Sequence, residues 1–287
     1  MYLIVDITTN FTTLTLFKSF DKKSQIKTTK YPTVLNYDLA LKKLSKKLET
    51  LIPKKQKVKA TAISVVGIVD YKNNLLEYSA YLDKYTRKDL PKFLKDILDC
   101  PATMIQDSSA DGLAELDNLA KGVDNYSLIT VTYGIGGVHI ERTKDEVIVF
   151  PTELGHIIVV PNGRQCPCGQ RGCVEAYIGG ESLKDRFLKS VSEIDDMRIW
   201  EEAVEYLAIA TVNLLMSFPS DTMIYSGDSI STVPYLRRKI RDEVDKRLTL
   251  TKMPNVKISR LGRKANTSGA LKMLELKEDD IKLTIMN

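Results

Sequence analysis

Three cysteines within eight residues, with a histidine shortly before them, constrain this chain more than any other feature. His156, Cys166, Cys168 and Cys173 form the pattern H-x9-C-x-C-x4-C, set in Gly155-His156 and Cys166-Pro167-Cys168-Gly169-Gln170-Arg171-Gly172-Cys173. Three thiolates and one imidazole fill a tetrahedral shell, so the set points to a structural Zn²⁺ and not to an ion that keeps an open position for water. Gly163, Gly169 and Gly172 let the backbone turn tightly enough to bring each sulfur to about 2.3 Å from the metal. The competing reading is a group of buried thiols beside a loop histidine. Crowding of this kind suits metal better than disulfides in a reducing compartment. The fourth cysteine, Cys100, precedes Pro101 and is expected to be a core thiol.

The rest of the composition fits a globular protein. At 287 residues the chain is about two domains long and needs no covalent staples. Hydrophobic residues at 43% and charged residues at 28% exclude a disordered chain or a fibrous repeat. The net charge of +5 is spread among acids, and the densest basic run, Lys54-Lys55-Gln56-Lys57-Val58-Lys59, has no interleaved aromatic. That run reads as a solvated loop and not as a nucleic-acid surface. No apolar stretch reaches the roughly 20 residues of a bilayer span, and the start Met1-Tyr2-Leu3-Ile4-Val5-Asp6 has no signal-peptide character, so the expected location is cytoplasmic, away from membranes.

Strand and helix patterns alternate along the chain. Leu3 to Asp6 and the alternating Phe11 to Phe17 read as a β-hairpin, and Ala60 to Val66 as a third strand. Leu39, Leu41, Leu44, Leu48 and Leu51 recur at helical spacing between them. A helix over Lys88 to Leu98, a strand at Ala102 to Ile105 and a helix from Gln106-Asp107-Ser108-Ser109 through Lys121 follow. After Asn125 the hairpin-and-helix plan starts again with strands at Ser127 to Tyr133, Val138 to Thr143 and Glu146 to Phe150. Helices at Glu181 to Lys189, Met197 to Phe218, Val233 to Lys246 and Ala265 to Leu276 are interleaved with strands at Met223 to Ser226 and Val256 to Ser259. The order implies an α/β fold with a boundary near residue 120, giving lobes of 1–120 and 121–287, with the last helix able to pack back on the first lobe.

The stretch from Glu153-Leu154-Gly155-His156 to Cys173-Val174-Glu175 resembles the signature of the ROK family (repressor, open reading frame, kinase), which reads E-x-G-H and then C-x-C-G-x-x-G-C-x-E. The resemblance implies a two-lobed, actin-like (ribonuclease H-like) sugar-kinase fold with a cleft between lobes. It also implies that Glu153, His156 and Glu175 line a sugar pocket. Carboxylates suit vicinal hydroxyls, and a zinc-fixed imidazole is rigid enough to discriminate epimers. Gln106-Asp107-Ser108-Ser109-Ala110 resembles the family's N-D-x-N-A segment, whose aspartate is the base in phosphoryl transfer, which makes Asp107 the catalytic candidate and Gln106 a sugar contact. Read without the family, Asp107 is better taken as a plain helix N-cap.

The expected cofactors are structural Zn²⁺ and Mg²⁺ with ATP, but the nucleotide side departs from the family. Its first phosphate turn, D-x-G-G-T, is Asp6-Ile7-Thr8-Thr9-Asn10 here: Asp6 remains for Mg²⁺, while Thr8 and Thr9 replace both glycines and Asn10 the threonine. A threonine held at a glycine's positive φ would be strained by about 1–2 kcal/mol. The second turn, G-T-G-I-G-G-G, aligns with Thr132-Tyr133-Gly134-Ile135-Gly136-Gly137-Val138, where Tyr133 replaces the phosphate-binding threonine and Gly134, Gly136 and Gly137 remain. Gly227, in Ser226-Gly227-Asp228-Ser229, and Gly262, in Leu261-Gly262-Arg263-Lys264, match the adenosine-side turns incompletely. The resemblance therefore implies an ATP-dependent kinase for a hexose or N-acetylhexosamine, with a catalytically weak sugar-binding or regulatory relative as the alternative. It also implies a homodimer. The repressor branch carries a winged helix ahead of the first strand, which here begins at Tyr2, so direct DNA binding is not expected.

Overall fold

A computed structural model describes residues 1–189, 191–227 and 236–286. Its strands are β1 (Tyr2–Ile7), β2 (Phe11–Phe17), β3 (Gln25–Pro32), β4 (Ala60–Val65), β5 (Ile68–Asp70), β6 (Leu75–Tyr78), β7 (Ala102–Gln106), β8 (Asn125–Val131), β9 (Ile135–Arg142), β10 (Glu146–Thr152), β11 (Thr222–Ser226), β12 (Asn255–Ile258) and β13 (Lys282–Ile285). The helices are α1 (Tyr37–Leu51), α2 (Leu90–Leu98), α3 (Asp107–Ala114), α4 (Glu175–Ile178), α5 (Gly180–Phe187), α6 (Met197–Ser217), α7 (Leu236–Asp245) and α8 (Ala265–Glu278). Two compact units emerge: Met1–Asp117 with Lys144–Ile148 and Lys264–Asn287, and Asn118–Thr143 with Val149–Arg263.

The first unit is built on a five-stranded sheet of order β3-β2-β1-β4-β7, in which β1 runs antiparallel to β2 and parallel to β4. Side chains alternate across a strand, so Leu3, Val5 and Ile7 share one face with Ile63 and Val65 and pack with Leu44, Leu48 and Leu51 of α1 and Leu90 and Leu94 of α2. The opposite face carries Tyr2, Ile4 and Asp6, and Tyr2 Oη donates to Glu278 of α8 at 2.6 Å. The caps are local chemistry: Asn36 accepts the Leu39 N–H ahead of α1, and Asp89 accepts the Lys92 N–H ahead of α2. Helices α3 and α8 cross so closely that a Cβ on Gly269 would overlap the Ala110 carbonyl.

The second unit's core gathers β8, β11 and β12 with α4, α6 and α7. Its strands run in the order β12-β11-β8-β9, with β8 parallel to β11 and antiparallel to β9. Helix α6 buries Trp200, Val204, Leu207 and Leu214 in this core, and Thr211 of α6 hydrogen-bonds the buried Tyr225 hydroxyl at 2.9 Å. Its apolar length is thus used inside its own unit. Among the described residues no helix is long and apolar enough to cross a membrane.

Several elements differ from the sequence expectations. The helix from Asp107 stops at Ala114 and continues only as a 3-10 turn at Leu116–Asn118, short of Lys121. Leu39 is 55% exposed because, at about 100° per residue, it falls on the opposite side of α1 from the buried Leu48, off the stripe formed by Leu44, Leu48 and Leu51. The edge strand β3 and the hairpin β5–β6 add strands to the first unit, while the start of the Val233–Lys246 helix lies outside the described residues.

Candidate functional site

The metal-type cluster closes in the second unit. Ligand atoms of His156, Cys166, Cys168 and Cys173 all lie within 4.8 Å of one another. The Cys168 and Cys173 sulfurs are 3.7 Å apart, and Cys166 Sγ is 3.6 Å from His156 Nδ1. Those values match the tetrahedral edges of about 3.8 Å for S···S and about 3.6 Å for S···N that Zn–S and Zn–N bond lengths impose. Nδ1 faces the thiols, which leaves Nε2 on the other edge of the ring. The loop reaches this shape through main-chain bonds, Cys166 N–H to Gln170 O and Gly172 N–H to Arg164 O. It also needs positive φ at Gly169 (94°) and Gly172 (85°), where a Cβ on Gly172 would overlap Val160 O. Burial pushes the Cys166 thiol up, and that of Cys173 up to about 11. Burial acts on Cys168 in the same sense, but the Gln170 N–H and the neighbouring thiols outweigh it and hold that thiol below its usual range. A divalent cation is what would ionise all three together.

The two acids flanking this loop are placed differently. Glu153 is exposed and opens the 3-10 turn Leu154–His156, its carbonyl accepting the His156 N–H at 2.9 Å. Glu175 is only 5% exposed at the start of α4, and its Oε2 accepts the Ile135 N–H at 2.8 Å. It therefore reaches the β8–β9 turn that aligns with the second phosphate turn. A Cβ on Gly134 would sit 2.5 Å from Glu175 Oε2, and one on Gly155 would overlap Ile135 O. Neither Gly134 nor Gly136 has a positive φ. At Gly134 and Gly155 the missing side chain makes room for close packing. The carbonyls of Thr132 and Tyr133 accept the N–H groups of Gly180 and Glu181 at the start of α5. Tyr133 is half-buried, and its phenol is pushed up to about 12 by burial and then by the Glu181 carboxylate.

The first unit holds two neighbouring carboxylates at strand ends. Asp6, near the end of β1, is 7% exposed, and among the described residues its Oδ1 has no hydrogen-bond partner. Burial and then the charge of Asp107 push its carboxyl up to about 7, with Ser64 and Lys30 opposing. Asp107 follows β7 directly as the first residue of α3, and its Oδ1 accepts the Ser108 N–H at 2.8 Å. The cap position belongs to Gln106, which is buried and makes no capping bond with its side chain, so Asp107 is not the N-cap. A buried carboxylate oxygen without a partner among the described residues, in the field of a second carboxylate two strands away, is the chemistry of a hard-cation ligand and fits Mg²⁺.

The first phosphate-type turn forms without a left-handed residue. Thr8, Thr9 and Asn10 all avoid positive φ, so the strain expected of a threonine in a glycine's conformation is not incurred. The turn closes on itself instead. Thr8 N–H donates to Phe11 O, the Thr8 hydroxyl donates to the same carbonyl at 2.9 Å, and Phe11 N–H donates back to Thr8 Oγ1 at 3.1 Å. The turn's base is tied to the strand end after β3, with Thr33 N–H on Asn10 O and Thr33 Oγ1 on Thr8 O. Gly227 has φ 107° and cannot carry a Cβ without overlapping Val131 O, whereas Gly262, at φ 54°, has open space around it. Asp228 and Ser229 lie outside the described residues.

Sequence reasoning missed the residues that hold the β7–α3 junction. The Tyr71 hydroxyl accepts the Gln106 N–H at 3.2 Å, and Asn74 straps β7 by accepting from Met104 N–H and donating to Ala102 O. Asn266 Nδ2 donates to the Asp107 carbonyl at 3.4 Å. A polar tyrosine-asparagine loop between short strands carries no pattern that would single these out. By unit, Asp6, Thr8, Thr9, Asn10, Gln106, Asp107 and the α8 start belong to the first, and Tyr133, Gly134, Gly136, Glu153, His156, Glu175, Gly227, Gly262 and the cysteines to the second.

Comparison with known proteins adds the family. The model of the ROK family matches residues 2–277. The N-acetylmannosamine kinase of Yersinia pestis (strain Pestoides F) is 27% identical over 216 residues, covering 69% of this chain and 74% of that protein. A ROK family glucokinase from Streptomyces griseus, solved in complex with glucose and AMPPNP, superposes with a TM-score of 0.77 at 20% identity, covering 94% of this chain and 98% of that one. A ROK family transcriptional regulator, a homolog of the E. coli MLC protein, superposes with a TM-score of 0.80 at 18% identity, covering 98% of this chain and 79% of that one. The fold of these solved structures is the fold of this chain.

Proposed function

This chain belongs to the ROK family, and we propose that it is an ATP-dependent carbohydrate kinase that phosphorylates a hexose or N-acetylhexosamine. The observation that carries the reading is the carboxylate pair of the first unit: a buried Asp6 with an unpartnered Oδ1 and a half-buried Asp107 at a strand-to-helix junction. Phosphoryl transfer to an alcohol needs a base for the hydroxyl proton and a ligand for the cation that accompanies the phosphates. In this reading Asp107 accepts the proton of the attacking hydroxyl. Asp6 would hold Mg²⁺, which would supply charge neutralisation on the transferring phosphoryl group. Glu153, His156, Glu175 and Gln106 take the sugar hydroxyls. Nδ1 of His156 is turned to the thiols, so its Nε2 is the atom offered to the sugar. Zn²⁺ held by His156, Cys166, Cys168 and Cys173 would fix that imidazole and stiffen the loop. The N-acetylmannosamine kinase relative and the glucokinase with glucose and AMPPNP support both the sugar class and the donor. A homodimer is part of the same proposal and is read directly by analytical ultracentrifugation.

A second reading is favoured by one observation: the Thr8–Phe11 turn uses the N–H groups of Thr8 and Phe11 and the Thr8 hydroxyl internally. A sugar-binding regulatory protein would keep Glu153, His156 and Glu175 and lose transfer, as the likeness to a ROK transcriptional regulator allows. An ADP-release assay over glucose, mannose, N-acetylglucosamine and N-acetylmannosamine with Mg²⁺–ATP separates the two. Sugar-dependent ADP formation supports the kinase. Sugar-induced thermal stabilisation with no ADP formed supports the regulator.

A further inference from the structure

The self-closed turn raises the question of what would hold the donor's phosphates in the first unit. The sheet register supplies a candidate. Asp6 pairs with Thr13 and with Ser64, and Thr13 pairs with Lys30, so Ser64, Asp6, Thr13 and Lys30 form one cross-strand row. Paired residues project to the same face, and two strand spacings put the Lys30 Cα about 10 Å from that of Asp6, most of which a lysine side chain can span. Lys30 Nζ lies 3.9 Å from the centroid of the Phe11 ring. Phe11 is the residue whose N–H and carbonyl close the turn on Thr8, so the ammonium is parked against that turn. Lys30 makes no ion pair among the described residues, whereas Lys27 on the same strand is used on the Thr50 carbonyl. Its charge is felt at the Asp6 carboxylate.

We infer that Lys30 is the residue that binds the terminal phosphates of the phosphoryl donor, in place of the glycine turn that Thr8, Thr9 and Asn10 replace in this chain. The inference rests on the kinase reading. An ammonium is a compact point charge with three rotatable donors, and it binds a phosphate without the backbone preorganisation that a glycine turn provides. The Phe11 ring holds the cation without neutralising it.

The test titrates the full chain with Mg²⁺–ATP, with inorganic tripolyphosphate and with adenosine, by calorimetry, in wild type, Lys30→Met and Lys30→Arg. Lys30→Met is expected to weaken ATP and tripolyphosphate about tenfold and to raise KM for ATP by a similar factor, with kcat, adenosine binding and the sugar-induced melting shift unchanged. Lys30→Arg is expected to restore most of the loss. Equal phosphate affinities and equal KM in Lys30→Met and wild type overturn the inference while leaving the kinase reading in place. Lys30-dependent phosphate binding without any ADP release sinks the kinase reading and leaves Lys30 as a phosphate ligand. A wild type that binds neither ATP nor tripolyphosphate overturns both.

Discussion

Glu175 and Ile135 are joined by a 2.8 Å hydrogen bond from the Ile135 N–H to the Glu175 carboxylate, inside a part of the second unit where Gly134 and Gly155 have given up their side chains. One acid thus fixes the β8–β9 turn from the beginning of α4. Its loss strands a buried N–H. Glu175→Ala is expected to destabilise the protein by about 1–3 kcal/mol, the usual penalty for an orphaned buried donor. Glu175→Gln keeps an acceptor for Ile135 and is expected to cost clearly less. Urea denaturation of the two variants measures the difference.

The cysteine loop should behave as a zinc site. Freshly purified protein is expected to carry about one zinc per chain by mass-spectrometric metal analysis. Cys168→Ser and Gly172→Ala should both lose it, the first by removing a ligand and the second because a Cβ would collide with the Val160 carbonyl. Both variants should melt at lower temperature than the wild type, and a strong chelator should lower the wild type's melting point towards theirs. Native protein free of zinc would remove the site from the account.

Asp6 should give stability a recognisable dependence on pH. Its folded carboxyl, at about 7, titrates well above an unfolded aspartate. Between the unfolded and folded values the native state holds a proton that the unfolded chain has released, so stability falls as pH rises from about 4 to about 7. Asp6→Asn removes this loss. It should match the wild type near pH 4 and exceed it by roughly 2–4 kcal/mol at pH 8 in metal-free buffer. Mg²⁺ should raise the melting temperature of the wild type at pH 8 and leave Asp6→Asn unmoved. Identical pH profiles for the two proteins would show that Asp6 does not carry this charge.

What could be read in advance followed from how local each signal is. The four ligands lie within eighteen residues, so spacing alone brings their atoms near one another, and the structure places them within 4.8 Å. Alternation in Phe11 to Phe17 and the leucines of α1 announce half-buried elements, and β2 and α1 are found there. Strand β3 was illegible because Gln25–Pro32 is an exposed edge with threonines and lysines on both faces. Leu39 misled for a different reason: nine residues at about 100° each put it on the far side of α1 from Leu48, so it does not share the buried stripe. In the candidate site, the identities of Asp6, Asp107 and Glu175 were legible through motif resemblance. Their environments were not: the unpartnered Asp6 oxygen, the Glu175 bond to Ile135 and the cap position of Gln106 all depend on contacts between distant segments or on backbone angles. The Thr8 turn shows the same limit. Missing glycines were visible, but not that a hydroxyl would close the turn without positive φ.

The central claim is that Asp107 takes a proton from a bound sugar. The most direct measurement compares wild type and Asp107→Asn for sugar-dependent ADP release with Mg²⁺–ATP, alongside sugar binding by calorimetry. The account predicts turnover by the wild type, a fall of about 10²–10⁴-fold in kcat in the variant, and sugar affinity within a few-fold of the original. Undiminished turnover in Asp107→Asn would contradict it, as would a wild type that binds sugar and never releases ADP.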